Sequence, residues 1–202
     1  MERMASAFDI PLSELTLAGA RRGDRGAQER IYRDFERAVF SLARRMTGDP
    51  DAAQDVTQDA FMKCFQRIGQ FRGESPFGMW LRSIAASEAL MHLRRGRYFL
   101  DLFTTDEMML QSVGFEDVSN TDLERSLSLL PSVPRSVLWL YHVEGYTHAE
   151  IAALCGKTVS FSKSQLSRAH QKLKTLLVDP SGIPGHPADG VEPCLPGLAR
   201  IN

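Results

Sequence analysis

The stretch Tyr146–Ala169, YTHAEIAALCGKTVSFSKSQLSRA, decides how this chain is read. Thr147-His148-Ala149-Glu150 has the spacing of a capping box, so a short helix is predicted to begin there. Ile151, Ala152 and Leu154 form its apolar face. Gly156 permits a sharp turn. Thr158 is placed to cap a second helix, whose inward stripe is Val159, Ser162, Leu166, Ala169, Leu173 and Leu176. The opposite face carries Lys163, Gln165, Ser167, Arg168, His170, Lys172 and Lys174. Residues 159–177 hold four Lys or Arg and no acid, a local charge of +4. Two helices joined by a tight glycine turn, the second cationic on one side, fit the geometry that lays a recognition helix in the DNA major groove. A solvated basic face would explain the charge alone. It does not explain the capping box, the turn and the one-sided charge together. His148 and His170 have no convergent partners in sequence and are expected at the surface or on phosphate, not as metal ligands or bases.

The rest of the chain sets limits on that reading. Its 202 residues leave room for one or two small domains. A formal net charge of −1 hides strong segregation along the sequence. Cys64, Cys155 and Cys194 are far apart, with no CxxC pair and no histidine cluster, which predicts neither a metal site nor a disulfide framework. Reduced thiols fit a cytoplasmic protein. No apolar run reaches the roughly 18 residues of a membrane span, so no membrane insertion is expected. The opening MERMASAFDIPLSEL lacks the basic start and apolar stretch of a signal peptide.

Nearly every periodic segment is helical, which predicts an all-α protein. Ile31, Phe35, Ala38, Val39, Leu42 and Met46 recur at three- and four-residue spacings and make one apolar stripe, ended by Gly48. Asp49 and Pro50 supply an N-cap and a first-turn proline for the next helix, with Val56, Ala60, Phe61, Cys64, Phe65 and Ile68 inward. The loop GQFRGESP follows, and Ser75 and Pro76 are placed to open a third helix running to Arg97. That helix has four arginines (Arg82, Arg94, Arg95, Arg97) against Glu88, a net +3 suited to phosphates. Residues 98–124 then contain seven acids and no Lys or Arg, a charge of −7. An acidic, solvated linker is predicted over 98–120. Thr121 and Glu124 form a capping box that opens a second domain over 121–178, and Ser132 and Pro134 start a helix that Gly145 ends. Residues 179–202 are rich in Pro and Gly and are predicted to be a disordered tail.

The second domain resembles the promoter −35 reading domain of bacterial extracytoplasmic-function (ECF) sigma factors. The resemblance rests on Glu150-Ile151-Ala152, Leu154, Gly156, Thr158, Lys163-Ser164 and Leu166-Ser167-Arg168-Ala169, matched without a gap. Cys155, Lys157, Phe161 and Gln165 depart from the family pattern, and Gln165 stands where arginine is usual. The first domain is similar to the family's core-binding helix, loop and −10 helix through Asp55, Gln58, Asp59, Phe61, Phe71-Arg72-Gly73, Phe77, Trp80-Leu81 and Ile84-Ala85. The resemblance spans roughly 24–97 and 121–177. Two matching domains in the right order are far more specific than one helix-turn-helix.

The resemblance implies a factor that docks on core RNA polymerase, takes it to a promoter and holds a melted −10 element. It implies no enzyme, no catalytic residue, no cofactor and no metal. On the −35 side it implies DNA contacts from Thr158, Ser160, Phe161, Lys163, Ser164, Gln165, Ser167, Arg168 and Lys172. On the −10 side it implies Phe71, Arg72, Gly73, Ser75, Phe77, Arg82, Ser87, Arg94 and Arg95. Ser87 and Met91 replace residues usual in the family's −10 helix. Melting requires an unstacked base to be captured, and aromatic stacking with cationic contacts would hold the strand. Trp80 shares an apolar stripe with Ile84 and is expected in the core, and Phe71 could instead pin the loop. Core polymerase contacts are implied for Gln54, Asp55, Gln58, Asp59 and Lys63.

The family's acidic run before this point is reduced here to Ala52-Ala53-Gln54-Asp55, and Thr57 replaces an aliphatic residue. A phosphate on Thr57 would restore about −1.5 to −2 of charge one helical turn from Gln54. This resembles a kinase-controlled sigma subgroup, so a Ser/Thr kinase or an anti-sigma protein is the expected regulator. The competing reading has Thr57 half-buried and bonded to the Ala53 carbonyl. Two other functions remain open on sequence: a free-standing helix-turn-helix regulator, which leaves the first domain without a task, and a helical adaptor, which the basic segregation opposes. An enzyme has least support, since there is no phosphate loop or nucleophile–base arrangement.

Overall fold

The computed structural model describes residues 7–101 and 126–178, with side chains omitted for 96–101 and 178. Every regular element among the described residues is helical. The linker over 102–120, the Thr121–Glu124 capping box and the tail from 179 lie outside the described residues.

The first half opens with α1 (Glu14–Arg21), which the sequence reading did not anticipate. Ser13 caps it by accepting from the Thr16 amide, and only Thr16, Leu17, Gly19 and Ala20 are buried. Asp24 then caps α2 (Arg25–Thr47), whose buried face carries the predicted Ile31, Phe35, Ala38, Val39, Leu42 and Met46. Gly48 ends α2 at φ 79, in the left-handed region where a glycine costs least. Asp49 accepts from the Asp51 amide, and Pro50 opens α3 (Pro50–Arg67). A 3-10 turn, Ile68–Gln70, leads into the loop 71–76. The final helix of this half, α4, runs Phe77–Asp101, four residues past the predicted end at Arg97. The Pro76 carbonyl accepts from the amides of Met79 and Trp80 at its start.

The second half has a helical turn over 126–128, then α5 (Ser132–His142), α6 (His148–Cys155) and α7 (Val159–Val178). The predicted capping box of α6 is complete. The Thr147 amide donates to Glu150 Oε2 at 2.8 Å, and Thr147 Oγ1 accepts from the Glu150 amide at 3.3 Å. The Thr147 amide, and then its hydroxyl donating to the same oxygen at 2.8 Å, hold the Glu150 carboxyl below its ordinary range. Gly156 closes α6 at φ 59, and Thr158 Oγ1 accepts from the Phe161 amide at 3.2 Å.

The core is continuous through both halves. Ile31, Phe35, Met46, Val56 and Leu81 belong to the same buried cluster as Val137, Leu140, Ile151 and Ala169. The halves meet where α5 packs on α2 and α6 on α4. Arg135, 7% exposed, donates to the carbonyl of Thr47 and to that of Ser128. Ser136 Oγ lies 3.0 Å from the Met46 carbonyl. A guanidinium at the end of α2 meets the negative pole of the helix. Burial, and then Arg44 nearby, pull the Arg135 pKa down to about 10, so it remains charged at neutral pH. No helix among the described residues is long and apolar enough to cross a membrane.

Candidate nucleic-acid interface

The helix-turn-helix is α6, the Gly156 turn and α7. Its three-helix frame is closed by a polar seam that sequence reasoning missed. His148 Nδ1 lies 2.9 Å from Ser162 Oγ, which ties the start of α6 to α7. The His148 ring stacks on Tyr141, centroids 4.5 Å apart. His142 Nε2 and His170 Nε2 are 3.0 Å apart, joining the end of α5 to the middle of α7. His170 is exposed, as expected, and His148 half-buried, and both also bond within the frame.

On α7 the structure leaves Thr158, Ser160, Lys163, Ser164, Ser167, Arg168 and Lys172 exposed, as predicted for the −35 face. Phe161 is half-buried and packs against the core. Ser164 turns its hydroxyl to the Phe161 carbonyl at 2.9 Å. Gln165 is a correction: it is 6% exposed and belongs to the inward face. Its position explains this, since 165 is one helical turn from both Ser162 and Ala169, which are fully buried. Val159, predicted inward, is 42% exposed in the first turn of α7.

The −10 side departs further from expectation. Phe71 and Phe77, predicted as aromatics for a flipped base, are buried. Their rings meet edge-on at 5.4 Å, and Trp80 lies 5.3 Å from Phe71 and 5.6 Å from Phe77. Together they form an aromatic block that carries the loop. Trp80 is thus structural, as expected. Arg72, Gly73, Glu74, Ser75 and Pro76 are all exposed between the two anchors, with Gly73 at φ 77. Ser87 is half-buried on α4.

Two of the predicted −10 arginines are already engaged. Arg82 Nη1 donates to Glu144 Oε2 at 3.2 Å and to the Glu144 carbonyl at 3.0 Å. Its guanidinium also lies over the Tyr146 ring, 4.8 Å from the centroid. Arg94 Nη2 donates to the Cys155 carbonyl. Arg95 stays exposed on α4, with Nη2 near the Met91 sulfur. Glu144, Tyr146 and the end of α6 therefore occupy part of the face predicted to meet −10 DNA. A sequence holds no signal for that pairing, because Arg82 and Glu144 are 62 residues apart.

On α3, Gln54, Asp55 and Gln58, for which the resemblance implies core polymerase contacts, are exposed on one face with Asp59 half-exposed. Met62 extends that face at 53% exposure and was not foreseen. Lys63 differs. It donates to Glu88 Oε1 at 2.6 Å, and Glu88 is buried, so this lysine ties α3 to α4. Thr57 has the bond of the competing reading and is more deeply buried than that reading expects. It is 2% exposed, and its hydroxyl donates to the Ala53 carbonyl at 2.7 Å. The i−4 bond and the packing of α3 on α2 and α4 give the hydroxyl a structural task. Buried Cys64 sits on the same helix, its thiol pushed up to about 12 by burial.

Residues 31–98 match Sigma-70 region 2, and residues 121–173 match Sigma-70, region 4. The chain belongs to the ECF sigma factors of RNA polymerase. The two matched regions cover more than half of it. It is 29% identical over 171 residues to the RNA polymerase sigma-H factor of Pseudomonas aeruginosa, covering 77% of this chain and 89% of that protein. It is 25% identical to the ECF sigma factor SigW of Bacillus subtilis, over 79% of this chain and 93% of that one. Among solved structures, the sigma factor RpoE in complex with the anti-sigma factor NepR from Bartonella quintana is similar, with TM-score 0.51 and 25% identity. That alignment covers 74% of this chain and 96% of RpoE. As a sigma factor, the chain serves transcription initiation.

Proposed function

We propose that this sigma factor divides promoter recognition between its two halves. The exposed face of α7, led by Lys163, Ser167 and Arg168, reads the −35 element as duplex. The loop 72–76 and the arginines of α4 hold the melted −10 strand. Gln54, Asp55, Gln58, Asp59 and Met62 on α3 meet core polymerase. The observation that carries this reading is the one-sided cationic α7 in a capped helix-turn-helix, with its apolar side and Gln165 turned inward. The test is transcription on a promoter library with purified core polymerase. Starts at a shared −35/−10 pair are expected only when both proteins are present. Tight sequence-specific binding by the chain alone, unaffected by core, would favour the free-standing regulator instead.

Of the two expected regulators, an anti-sigma protein has the better support, since the RpoE relative is solved with one. A Ser/Thr kinase acting on Thr57 meets a buried hydroxyl. Separating the two halves would not free it, because α3 packs on α2 and α4 of its own half. Phosphorylation would require α3 to lift away, and the phosphate would then keep it lifted. Phosphosite mapping of the protein isolated from cells decides the matter: a stoichiometric Thr57 phosphate with tighter core binding would establish the switch. Its absence in induced cells would leave the anti-sigma reading.

A further inference from the structure

The residues before the Sigma-70 region 2 match, which begins at 31, reach the promoter loop from both sides. At the loop's entrance, Arg21 at the end of α1 donates through Nη2 to the Phe71 carbonyl at 2.5 Å and through Nε to the Ile68 carbonyl at 3.5 Å. At its exit, the backbone of Phe8 lies directly on Gly78, in the first turn of α4. A Cβ at Gly78 would fall 1.9 Å from the Phe8 carbonyl oxygen and 2.8 Å from the Phe35 ring. The Phe8 side chain itself is buried. The arm is anchored independently of the loop by Leu17 and Ala20 in the core.

We propose that Phe8–Arg21 is a brace for the loop 71–77 and that Arg21 is a positioning residue for promoter melting. This rests on the reading above, in which that loop holds the melted −10 strand. The aromatic block fixes the rings of Phe71 and Phe77, but rings do not fix the peptide planes between them. Residues 72–76 are all exposed, and their course depends on where Phe71 releases the chain and where Gly78 receives it. A guanidinium is suited to the first task, because its planar fork spans two carbonyls that a single amide could not. The Phe8 carbonyl seated on Gly78 serves the second. A loop held at both ends presents its nucleotide-facing backbone in one geometry, and the gain is felt when the strand must be captured as it opens.

The test uses the full chain with core polymerase, as Arg21→Ala, Arg21→Lys and Arg72→Ala. Each is measured on a fully duplex promoter and on the same promoter with a pre-opened −10 bubble, by permanganate reactivity of −10 thymines. Core affinity and the thermal midpoint are recorded alongside. Arg21→Ala is expected to lower duplex opening roughly tenfold. The defect should shrink severalfold on the bubble, core affinity and midpoint should be unchanged, and Arg21→Lys should recover part of the loss. Normal opening by Arg21→Ala with loss in Arg72→Ala would overturn the brace and leave the loop's role standing. Normal opening by both would overturn the loop's role, and the brace with it. Equal loss on both templates with a lowered midpoint would make Arg21 merely structural, and the proposal would fail.

Discussion

Substitution at Thr57 separates the two readings of it. Valine keeps the shape and loses only a bond from the hydroxyl to the Ala53 carbonyl one turn back, so Thr57→Val should change stability by about 1 kcal/mol or less in urea unfolding. Aspartate places a carboxylate in a site 2% exposed, which should cost roughly 3 kcal/mol or more. An aspartate variant as stable as the parent would show that α3 readily turns this position outward. On α7 the same logic separates contact from support. Lys163 and Arg168 are exposed, so their alanine variants should keep the parent midpoint and weaken promoter binding. A base contact by Arg168 should cost about 1–3 kcal/mol and relax one promoter position, whereas a phosphate contact should weaken all sequences alike. Gln165→Ala should do the reverse, lowering the midpoint without altering sequence preference, because Gln165 is turned inward. Altered preference in Gln165→Ala would put that side chain back on the DNA.

The second half is held in part by a pair of histidines. His142 and His170 approach through their Nε2 atoms, so one ring must donate while the other accepts. Burial first, and His170 second, lower the His142 pKa below its ordinary value. The unfolded chain keeps a histidine near 6.5, so this contribution is complete above about pH 6.5 and lost as pH falls through the lower folded value. Thermal midpoints of the chain should therefore drop between pH 7.5 and pH 5.5 by more than those of His142→Gln. Parallel pH profiles for the two proteins would remove the pair from the account. Features of this kind mark what the sequence could and could not reveal. The caps at Asp49, Thr147 and Thr158, and the left-handed Gly48 and Gly156, were readable because each acts within a few residues of itself. The stripe of α2 was readable because it repeats over 23 residues. By contrast α1 spans 8 residues with little apolar surface, too short for a periodic signal. Val159 reads as inward because periodicity says which residues share a face, not where the packing ends, whereas Gln165 reads as outward because it is polar, although its spacing puts it with Ser162 and Ala169. Lys63 reads as a polymerase contact in the sequence because a lysine on α3 looks the same whether it meets a partner or a buried Glu88.

Under the proposed division of promoter recognition, Arg82 and Arg94 are not free for −10 DNA while they bond to the second half. Glu144 is the joint. Oε2 accepts from Arg82 at 3.2 Å and Oε1 from the Trp139 indole at 3.2 Å, while the Arg45 guanidinium lies 4.5 Å from the Trp139 ring centroid. The carboxylate is 14% exposed and its arginine 13%, so salt screens the pair less than a surface contact. A charged hydrogen bond in such a setting contributes roughly 1.5–3 kcal/mol. Glu144→Gln retains an amide oxygen for Trp139 and removes the charge that holds Arg82. At about 2 kcal/mol, the open form would become roughly thirtyfold more populated relative to the closed one. The free variant should then bind a −10 single strand more tightly than the parent, and its radius of gyration should rise in solution scattering. Arg135, Ser136 and the end of α2 keep the halves partly joined, so the increase should be graded, and adding Arg135→Met should extend it. With core polymerase bound, the parent and Glu144→Gln should show the same promoter affinity, because core would already hold the halves apart. An unchanged single-strand affinity in the free double variant would mean that the contact with Glu144 does not restrain Arg82. The masking of the −10 face would then have to be assigned to Arg94 and the Cys155 carbonyl alone.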